Sequence, residues 1–331
     1  MFDLKNQLCI TISALALAGT AVAGPGPDNE RATPESFVDA LNAAFGKPTT
    51  NRSTHAKGIV LLGKFTPSAQ APGLSRAPHF THGVGITVRF SDNTGIPTLP
   101  DTSSSAHPHG MAIKFHLPDG TETDLVAHSF NGFVGATADE VRQFFLAVGA
   151  SANAPAPTPL DKFQDTHPAA KRFLTSQDPP AVSFATMTYF GVNTFKFTTE
   201  AGKVTFGRYQ LRPAAGRHFL TKAEVAKASN DYLFDELRQR IAKGSLRYQL
   251  VLQLATPKDK LDDPSTPWAD TNTIVELGTV EVSSLVADQD ATGRALLFLP
   301  AVVPAGIDPA DPMINFRNKT YPVSYDRRHR E

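Results

Sequence analysis

The sequence predicts a mixed α+β protein, an antiparallel β-barrel with helical insertions and a helical region near the C-terminal end. Two observations predict this class. Short segments alternate apolar and polar residues, as half-buried strands do, and they follow one another across turns instead of alternating regularly with helices. Between some of them, apolar residues recur at helical spacing behind capping residues. Consecutive antiparallel strands favour a closed barrel over a parallel sheet.

The first part of the chain is predicted to form a short helix and two strands. Thr33 is a helix cap, Pro34 suits the first helical position, and Gly46 ends the apolar stripe. Residues 58–65 form a continuous apolar run, which is typical of a buried strand. Residues 84–91 alternate instead, so this second strand is expected to have one polar face.

A hairpin and a mixed second half follow. Residues 111–117 alternate before a Pro-Asp-Gly turn, and 124–127 resume the sheet. Thr137, with Glu140 three residues later, predicts the start of a helix. The later elements are a linker at 151–159, strands at 182–189, 192–198 and 203–211, a helix at about 221–243 and a strand at 248–254.

Composition narrows the class of partner. The 331 residues are 41% apolar, enough for one large core or two ordinary ones. The formal net charge is zero, so the chain lacks the basic footprint of a nucleic-acid-binding protein. We therefore expect small-molecule ligands and no nucleic-acid partner.

The N-terminal segment predicts export. Residues 1–23 combine Lys5, an apolar stretch at 8–18 and a small-residue cleavage site at 21–23, which is the pattern of a secretory signal peptide. The apolar stretch is too short to cross a bilayer. We expect a periplasmic or secreted protein without a membrane anchor after cleavage.

The residues around the predicted cleavage site agree with export. Cys9 is the single cysteine and lies inside the predicted signal peptide, so the mature chain would contain no thiol and no disulfide. Residues 24–30, rich in Gly and Pro, are predicted to form a flexible leader.

An arginine and a tyrosine near the C-terminal end suggest a metal ligand. Arg317 and Tyr321 lie four residues apart, which on a helix puts them on one face, one turn apart. A free phenol has a pKa near ~10 and is a poor ligand while protonated. A neighbouring guanidinium can hold it as a phenolate, the form that serves as an axial haem ligand. Most Arg/Tyr pairs at this spacing are surface contacts.

A second segment changes the interpretation of that pair. Residues 52–58 spell R-S-T-H-A-K-G. Together with the R-x-x-x-Y segment, this resembles the haem catalase superfamily, specifically its short members, the catalase-related or catalase-like peroxidases. Further segments occur in the family's order: V-R-F-S at 88–91, G-M-A-I-K-F at 110–115, D-L-V at 124–126, Y-F-G-V-N-T-F-K-F at 189–197 and V-P-A-G-I-D-P at 303–309.

The resemblance implies a domain, a cofactor and an activity. It covers residues 31–325, which are expected to form a catalase-like haem domain, with 326–331 as a charged tail. It implies haem b and a peroxidase that reduces hydrogen peroxide or organic hydroperoxides with an external reductant, with weak catalase activity allowed. Because Tyr321 is followed by only ten residues, the tetramer architecture of large catalases is not expected; a monomer or homodimer is.

The resemblance also assigns roles to individual residues. His55 matches the distal histidine, a general acid–base group for the peroxide protons. Ser91 matches the serine that orients this histidine. Arg52 and Arg89 match arginines that bind the haem propionates, for which a guanidinium fork is suited. Tyr321 is the implied iron ligand.

The second distal polar group departs from the family pattern. Catalases follow D-L-V with Gly and an Asn whose amide polarises the peroxide. An ungapped comparison puts His128 at the Asn position and keeps Phe133 on a family phenylalanine of the haem pocket. Asn131 is the alternative, but it requires a three-residue shift. Both His128 and Asn131 are therefore catalytic candidates.

Thr54 bears on which reaction the site would catalyse. Large catalases have valine before the distal histidine, whereas allene oxide synthases, which isomerise lipid hydroperoxides, have threonine. A hydroxyl beside His55 can compete for its ring nitrogen, which would weaken dismutation. A hydroperoxide isomerase and a noncatalytic exported haem-binding protein remain the alternatives to a peroxidase.

Four histidines suggest a different kind of site, a zinc site. They lie on or near neighbouring predicted strands, but their H-x-H spacing lacks the paired pattern of known zinc sites. We therefore do not expect a metal cluster from His107, His109, His116 and His128.

Overall fold

Nine strands and eight helices make up the part of the chain that the structure describes. This computed structural model describes residues 31–47 and 50–330, so the predicted signal peptide and leader lie outside the described residues. The strands are β1 Gly58–Pro67, β2 Val84–Ser91, β3 Gly110–His116, β4 Glu122–His128, β5 Tyr189–Thr198, β6 Val204–Pro213, β7 Leu246–Leu254, β8 Ile274–Leu285 and β9 Ile307–Pro309. The helices are α1 Pro34–Phe45, α2 Ala138–Ser151, α3 Pro159–Thr166, α4 Pro168–Thr175, α5 Lys222–Val225, α6 Tyr232–Lys243, α7 Gln289–Ala295 and α8 Pro312–His329.

Strands β1 to β8 form an antiparallel barrel. Hydrogen-bonded neighbours run in the order β4-β3-β2-β1-β8-β7-β6-β5, and a pairing between β4 and β5 closes the ring. The closing pair is His128 with Phe190. Short β9 pairs with residues 195–197 of β5, on the edge of β5 that faces away from β6. The α+β class and the antiparallel barrel predicted from the sequence are confirmed.

The molecule has two apolar cores. The larger fills the barrel, where Phe90 packs against Tyr189 and Tyr248 and all three are fully buried. The smaller one joins α1, α2, α4 and the start of α8, with Phe144 and Met313 among its buried residues. Because Phe90 points into the barrel, its strand neighbours in β2 point out of it, towards the space between the two cores.

Several predicted elements are confirmed and others are wrong. Helix α1 begins after Thr33 and ends before Gly46, and β2 has the predicted bounds. The strand predicted at 182–189 is wrong, because the Ser183 hydroxyl accepts from a backbone amide and starts a short 3-10 turn. The strand β8 and the helices α3, α4 and α7 were not predicted from the sequence.

The helix predicted at 221–243 is two helices. Thr221 caps only the four residues of α5. The second helix, α6, starts where a carboxylate oxygen of Asp101 accepts from the backbone amide of Leu233, 2.8 Å away. A side chain distant in sequence therefore sets the start of α6, which local periodicity does not reveal.

Candidate active site

A cavity of about 180 Å³ lies between the outer face of the barrel and the helical core. Helices α1 and α8 and strands β2, β3 and β4 contribute to its wall. Of the predicted site residues, it is lined by Arg52, His55, Arg89, Ser91, His128, Phe133, Arg317 and Tyr321. Asn131 is half-buried but is not part of this lining. The structure therefore favours the ungapped comparison and His128 over Asn131.

His55 is held in an uncommon backbone conformation. Its φ is +54°, in the left-handed region that residues other than glycine rarely adopt. The backbone amides of His55 and Ala56 each donate to a carbonyl, of Asn93 and Thr94, at 3.0 Å. Surrounding contacts of this kind maintain such strain, which clusters at functional sites.

The His55 ring is oriented by the end of the β2–β3 ladder. His55 Nδ1 lies 3.0 Å from Ser91 Oγ. Gly110, the register partner of Ser91, carries no side chain, and a Cβ there would lie 2.8 Å from His55 Nδ1 and 2.7 Å from Ser91 Oγ. Another glycine, Gly58, leaves room for the Arg89 guanidinium in the same way.

Gly110→Ala is expected to displace the His55 ring. The new methyl group would lie closer to His55 Nδ1 and Ser91 Oγ than real Cβ contacts allow. The paired backbones of β2 and β3 limit how far the strands can shift to relieve the clash. We expect the peroxide turnover that the resemblance implies to fall about tenfold or more, because small misplacements of a reacting group are costly. Initial rates per bound cofactor would measure it. The control is Gly85→Ala on β2, whose Cβ would meet nothing closer than 3.9 Å; equal rates in both variants would contradict the assignment.

On the opposite side, Arg317 and Tyr321 meet as predicted. Arg317 Nε donates to Tyr321 Oη at 2.6 Å, one turn apart on α8. Arg317 also donates to the Asn193 side-chain oxygen. Asn193 Nδ2 donates in turn to Asp311 Oδ2 at 2.7 Å, and the other Asp311 oxygen caps α8 by accepting from the Met313 amide. The guanidinium is thus fixed from two sides.

Asn193 and Asp311 were missed by the sequence analysis. Asn193 lies in the family-like segment at 189–197, but alternation along a regular strand does not indicate where it points. The pairing of β5 with β6 shifts register between Gly191 and Phe195. An irregularity of this kind re-aims a side chain, and only the folded sheet shows it.

Three arginines converge on one wall of the cavity. Arg89 and Arg328 are buried, Arg52 is half-buried, and they donate to backbone carbonyls. Burial, followed by repulsion from the neighbouring guanidinium groups, lowers the pKa of Arg52 to about 8. Among the described residues, no carboxylate lies within ion-pair distance of these three side chains. The wall has positive charge without a protein counter-ion.

Arg328 lies at the end of α8, inside segment 326–331, for which a charged tail is predicted from the sequence. Helix α8 continues to His329, and Arg328 is only 4% exposed. Arg328 follows Arg317 by eleven residues, about three turns at 3.6 residues per turn. This spacing places Arg328 on the same face of α8 as Arg317, and it could have been recognised in the sequence.

His128 is the second imidazole of the cavity. Neither ring nitrogen has a hydrogen-bond partner among the described residues. Its ring stacks on Phe133 with centroids 6.0 Å apart. Burial lowers the pKa of His128 to about 3, with the Arg317 cation adding to the effect, and burial with Arg89 lowers that of His55 to about 3. Both imidazoles are therefore neutral near pH 7.

The contact expected between Thr54 and the His55 ring is wrong. The Thr54 hydroxyl donates to the backbone carbonyl of Asn93, the same carbonyl that accepts from the His55 amide. Thr54 therefore supports the backbone of the strained segment, while the ring nitrogen is met by Ser91.

The described residues also bear on two other features, a metal cluster and a membrane-spanning helix. Within residues 31–47 and 50–330, no group of three His, Cys, Asp or Glu side chains is arranged to hold a metal ion. His109 is instead paired with Asp92, and His116 with Thr87 and Glu122. No helix in the described part of the chain is long and apolar enough to cross a membrane.

Comparison with known proteins identifies the family. The catalase family model matches residues 36–330. The chain belongs to the catalase family. A catalase-related peroxidase of Mycolicibacterium paratuberculosis is 33% identical over 88% of this chain and 93% of the relative. A catalase-related peroxidase of Synechococcus elongatus is 28% identical over 100% of the chain and 99% of the relative. The chain is thus a member of the catalase superfamily that is similar, over most of its length, to proteins named catalase-related peroxidases.

Larger catalases share the fold but not the length. A fungal catalase structure matches with a TM-score of 0.75 at 20% identity, over 85% of this chain and 60% of that one. Catalase A from Saccharomyces cerevisiae matches with a TM-score of 0.74 at 18% identity. A catalase of Pseudomonas syringae is 29% identical, and this chain spans 54% of its length. The catalase-related peroxidases are the relatives of matching length.

Proposed function

We propose that the protein is a haem-dependent peroxidase that reduces hydrogen peroxide or organic hydroperoxides with an external reductant, with weak dismutation of hydrogen peroxide. The observation that carries this proposal is the pairing, across one cavity, of the Arg317–Tyr321 hydrogen bond with the strained His55. Relatives of matching length named catalase-related peroxidases support it.

The residues of the cavity fit haem b. Arg52, Arg89 and Arg328 form a wall of positive charge that is not ion-paired with any carboxylate of the described residues, which suits the two carboxylates of the haem propionates. Tyr321 would be the iron ligand, and the hydrogen bond that Arg317 donates suits an oxygen carrying negative charge. Haem, when bound, supplies the iron that exchanges electrons with the peroxide.

The remaining residues hold and move protons. His55, neutral near pH 7, takes a proton from one peroxide oxygen and returns it later. Ser91 fixes the ring by its contact with Nδ1, which leaves Nε2 for the substrate. Phe133 and the apolar side chains of the helical core exclude water from the cavity.

A peroxidase assay tests the proposal. Full-length haem-loaded protein would be mixed with hydrogen peroxide or an alkyl hydroperoxide and a one-electron donor, and both donor oxidation and oxygen release would be followed. We expect donor oxidation to exceed oxygen release. Haem binding without any peroxide consumption would support the noncatalytic alternative, and conversion of a lipid hydroperoxide without a reductant would support the isomerase.

Arg328→Gln is expected to weaken haem retention. The substitution removes one buried positive charge from the proposed propionate wall, and a charge-assisted hydrogen bond contributes about 1.5–3 kcal/mol. Haem transfer to an excess of apomyoglobin should therefore be about tenfold faster or more. The control is Arg327→Gln, which removes the adjacent, more exposed guanidinium that pairs with Asp39. Equal transfer rates for both variants would exclude Arg328 from the haem site.

Export and assembly are further parts of the proposal. We propose that residues 1–23 are removed and that the mature protein acts in the periplasm or outside the cell, as a monomer or homodimer. Mass measurement of the protein recovered from the periplasmic fraction would test the cleavage site, and light scattering would give the assembly state.

A further inference from the structure

His55 and His128 lie on either side of one gap in the sheet. Ser91 pairs with Gly110 across β2 and β3, and Gly110 pairs with His128 across β3 and β4. Directly opposed residues of antiparallel strands point to the same face. Ser91 and His128 therefore flank Gly110 on the outer face of the barrel, and the His55 ring, held by Ser91, lies over the same row.

The missing side chain of Gly110 keeps this gap open. A Cβ there would meet the His55 ring and Ser91 Oγ, so no larger residue fits beside the His55 ring at this point of the ladder. Both rings line the same cavity. Burial and the Arg89 cation lower the pKa of His55 most, and a charged His128 would lower it further.

His128 differs from the other imidazoles on these strands. His109 Nδ1 lies 3.0 Å from Asp92 Oδ1, and His116 Nε2 lies 3.0 Å from Thr87 Oγ1. Neither nitrogen of His128 has a partner among the described residues. Its ring plane is nevertheless fixed by stacking on Phe133 and its backbone by the pair with Phe190 that closes the barrel. The Phe130 backbone lies near enough to favour the charged form of this ring but not at hydrogen-bonding geometry, so a buried ring that lines a cavity is left to be satisfied from the cavity.

We propose that His128 exchanges a proton with the peroxide, opposite His55, so that two imidazoles handle the proton transfers. This inference rests on the proposed peroxidase function. A side-chain amide at this position could donate a hydrogen bond but could not release its proton. A neutral imidazole has one donor and one acceptor nitrogen and can do both. His128 is thereby assigned proton transfer in addition to polarisation of the substrate.

The protons and electrons of the reaction balance. Reduction of a hydroperoxide breaks the O–O bond and consumes two electrons and two protons to give an alcohol and water. Both electrons come from the external reductant. His55 accepts the proton of the hydroperoxide and later gives it to the oxygen that becomes water. His128, a neutral imidazole, donates its N–H proton to the oxygen that leaves as the alcohol while its other nitrogen takes up a proton from solvent, so that no imidazolate forms. A second solvent proton completes the water.

His128→Asn is the decisive variant, because it keeps an N–H donor and removes the exchangeable proton. With haem content unchanged, the rate of peroxide consumption should fall about 10²-fold, the lower end for a general acid–base group, since His55 remains. The matched control is His116→Asn, an imidazole on the neighbouring strand outside the cavity lining. It should keep the parent rate.

A second measurement does not depend on turnover. Hydrogen cyanide binds to haem iron as the anion, so a nearby base must hold the released proton. Optical titration should give weaker cyanide binding in His55→Asn and in His128→Asn, and the double variant should lose more than the product of the single effects, because either ring can accept the proton alone. Additive effects would mean that the rings do not share this task.

The outcomes separate this inference from the proposed function. A parent protein that binds haem but consumes no peroxide contradicts the proposed function. A parent with normal turnover, together with a His128→Asn variant equal to it in both rate and cyanide affinity, overturns the role of His128 and leaves the peroxidase proposal intact. In that case hydrogen-bond donation alone is sufficient at this position.

Discussion

Tyr321→Phe is expected to lose nearly all bound haem and, with it, peroxide turnover. The substitution removes the single oxygen that receives the Arg317 Nε hydrogen bond at 2.6 Å and would ligate the iron. It leaves the Arg317 guanidinium half-buried with only the Asn193 contact. Because no other side chain of the α8 face offers an anionic oxygen beside Arg317, we expect no substitute ligand in the described residues.

The measurement is haem content after gel filtration, from the ratio of haem to protein absorbance. Tyr325→Phe is the matched control, one turn later on α8 and outside the cavity lining. Its ring packs over the Arg328 guanidinium at 4.6 Å, a contact that phenylalanine preserves. A Tyr321→Phe protein with full haem content and parent turnover would refute the ligand assignment.

His55→Ala is expected to bind haem normally and to lose most peroxide cleavage. A general acid–base group contributes about 10²- to 10⁴-fold to a rate. The His55 ring is placed to act as this group, because Ser91 fixes its orientation and it lies in the cavity near Arg89. We therefore expect a fall within that range, with the haem spectrum retained.

The backbone of His55 calls for a second variant. Its φ of +54° suits alanine poorly, whereas asparagine adopts this region more readily. His55→Asn should therefore keep the fold of the 52–58 segment and still lack the base. Stopped-flow measurement of peroxide consumption would compare both variants with the parent, and thermal unfolding would report any loss of stability. A parent-like rate in His55→Asn would remove His55 from the mechanism.

Much of the candidate site could be predicted from the sequence because it depends on short-range order. Arg317 and Tyr321 meet since residues four apart on a helix are neighbours whatever the helix packs against. Arg89 and Ser91 share a face because a strand alternates.

Other parts depended on contacts between distant segments. Only the folded chain shows that His128 lines the cavity and Asn131 does not, because this depends on the pairing of β4 with β3 at Gly110. Thr54 was assigned to the wrong acceptor, because the nearest partner in the folded chain is the carbonyl of Asn93, 39 residues away.

The sequence by itself determined the family, the barrel class and the residues of the two opposed ends of the cavity, because each of these follows from motif order and local periodicity. The tertiary structure alone decided that Arg328 is buried in the arginine wall, that Asn193 fixes Arg317, and that Gly110 leaves room for the His55 ring. The reason is physical. Helical and strand spacing follow from backbone geometry at short range, whereas burial, register shifts and close approach arise only when segments far apart in sequence pack together.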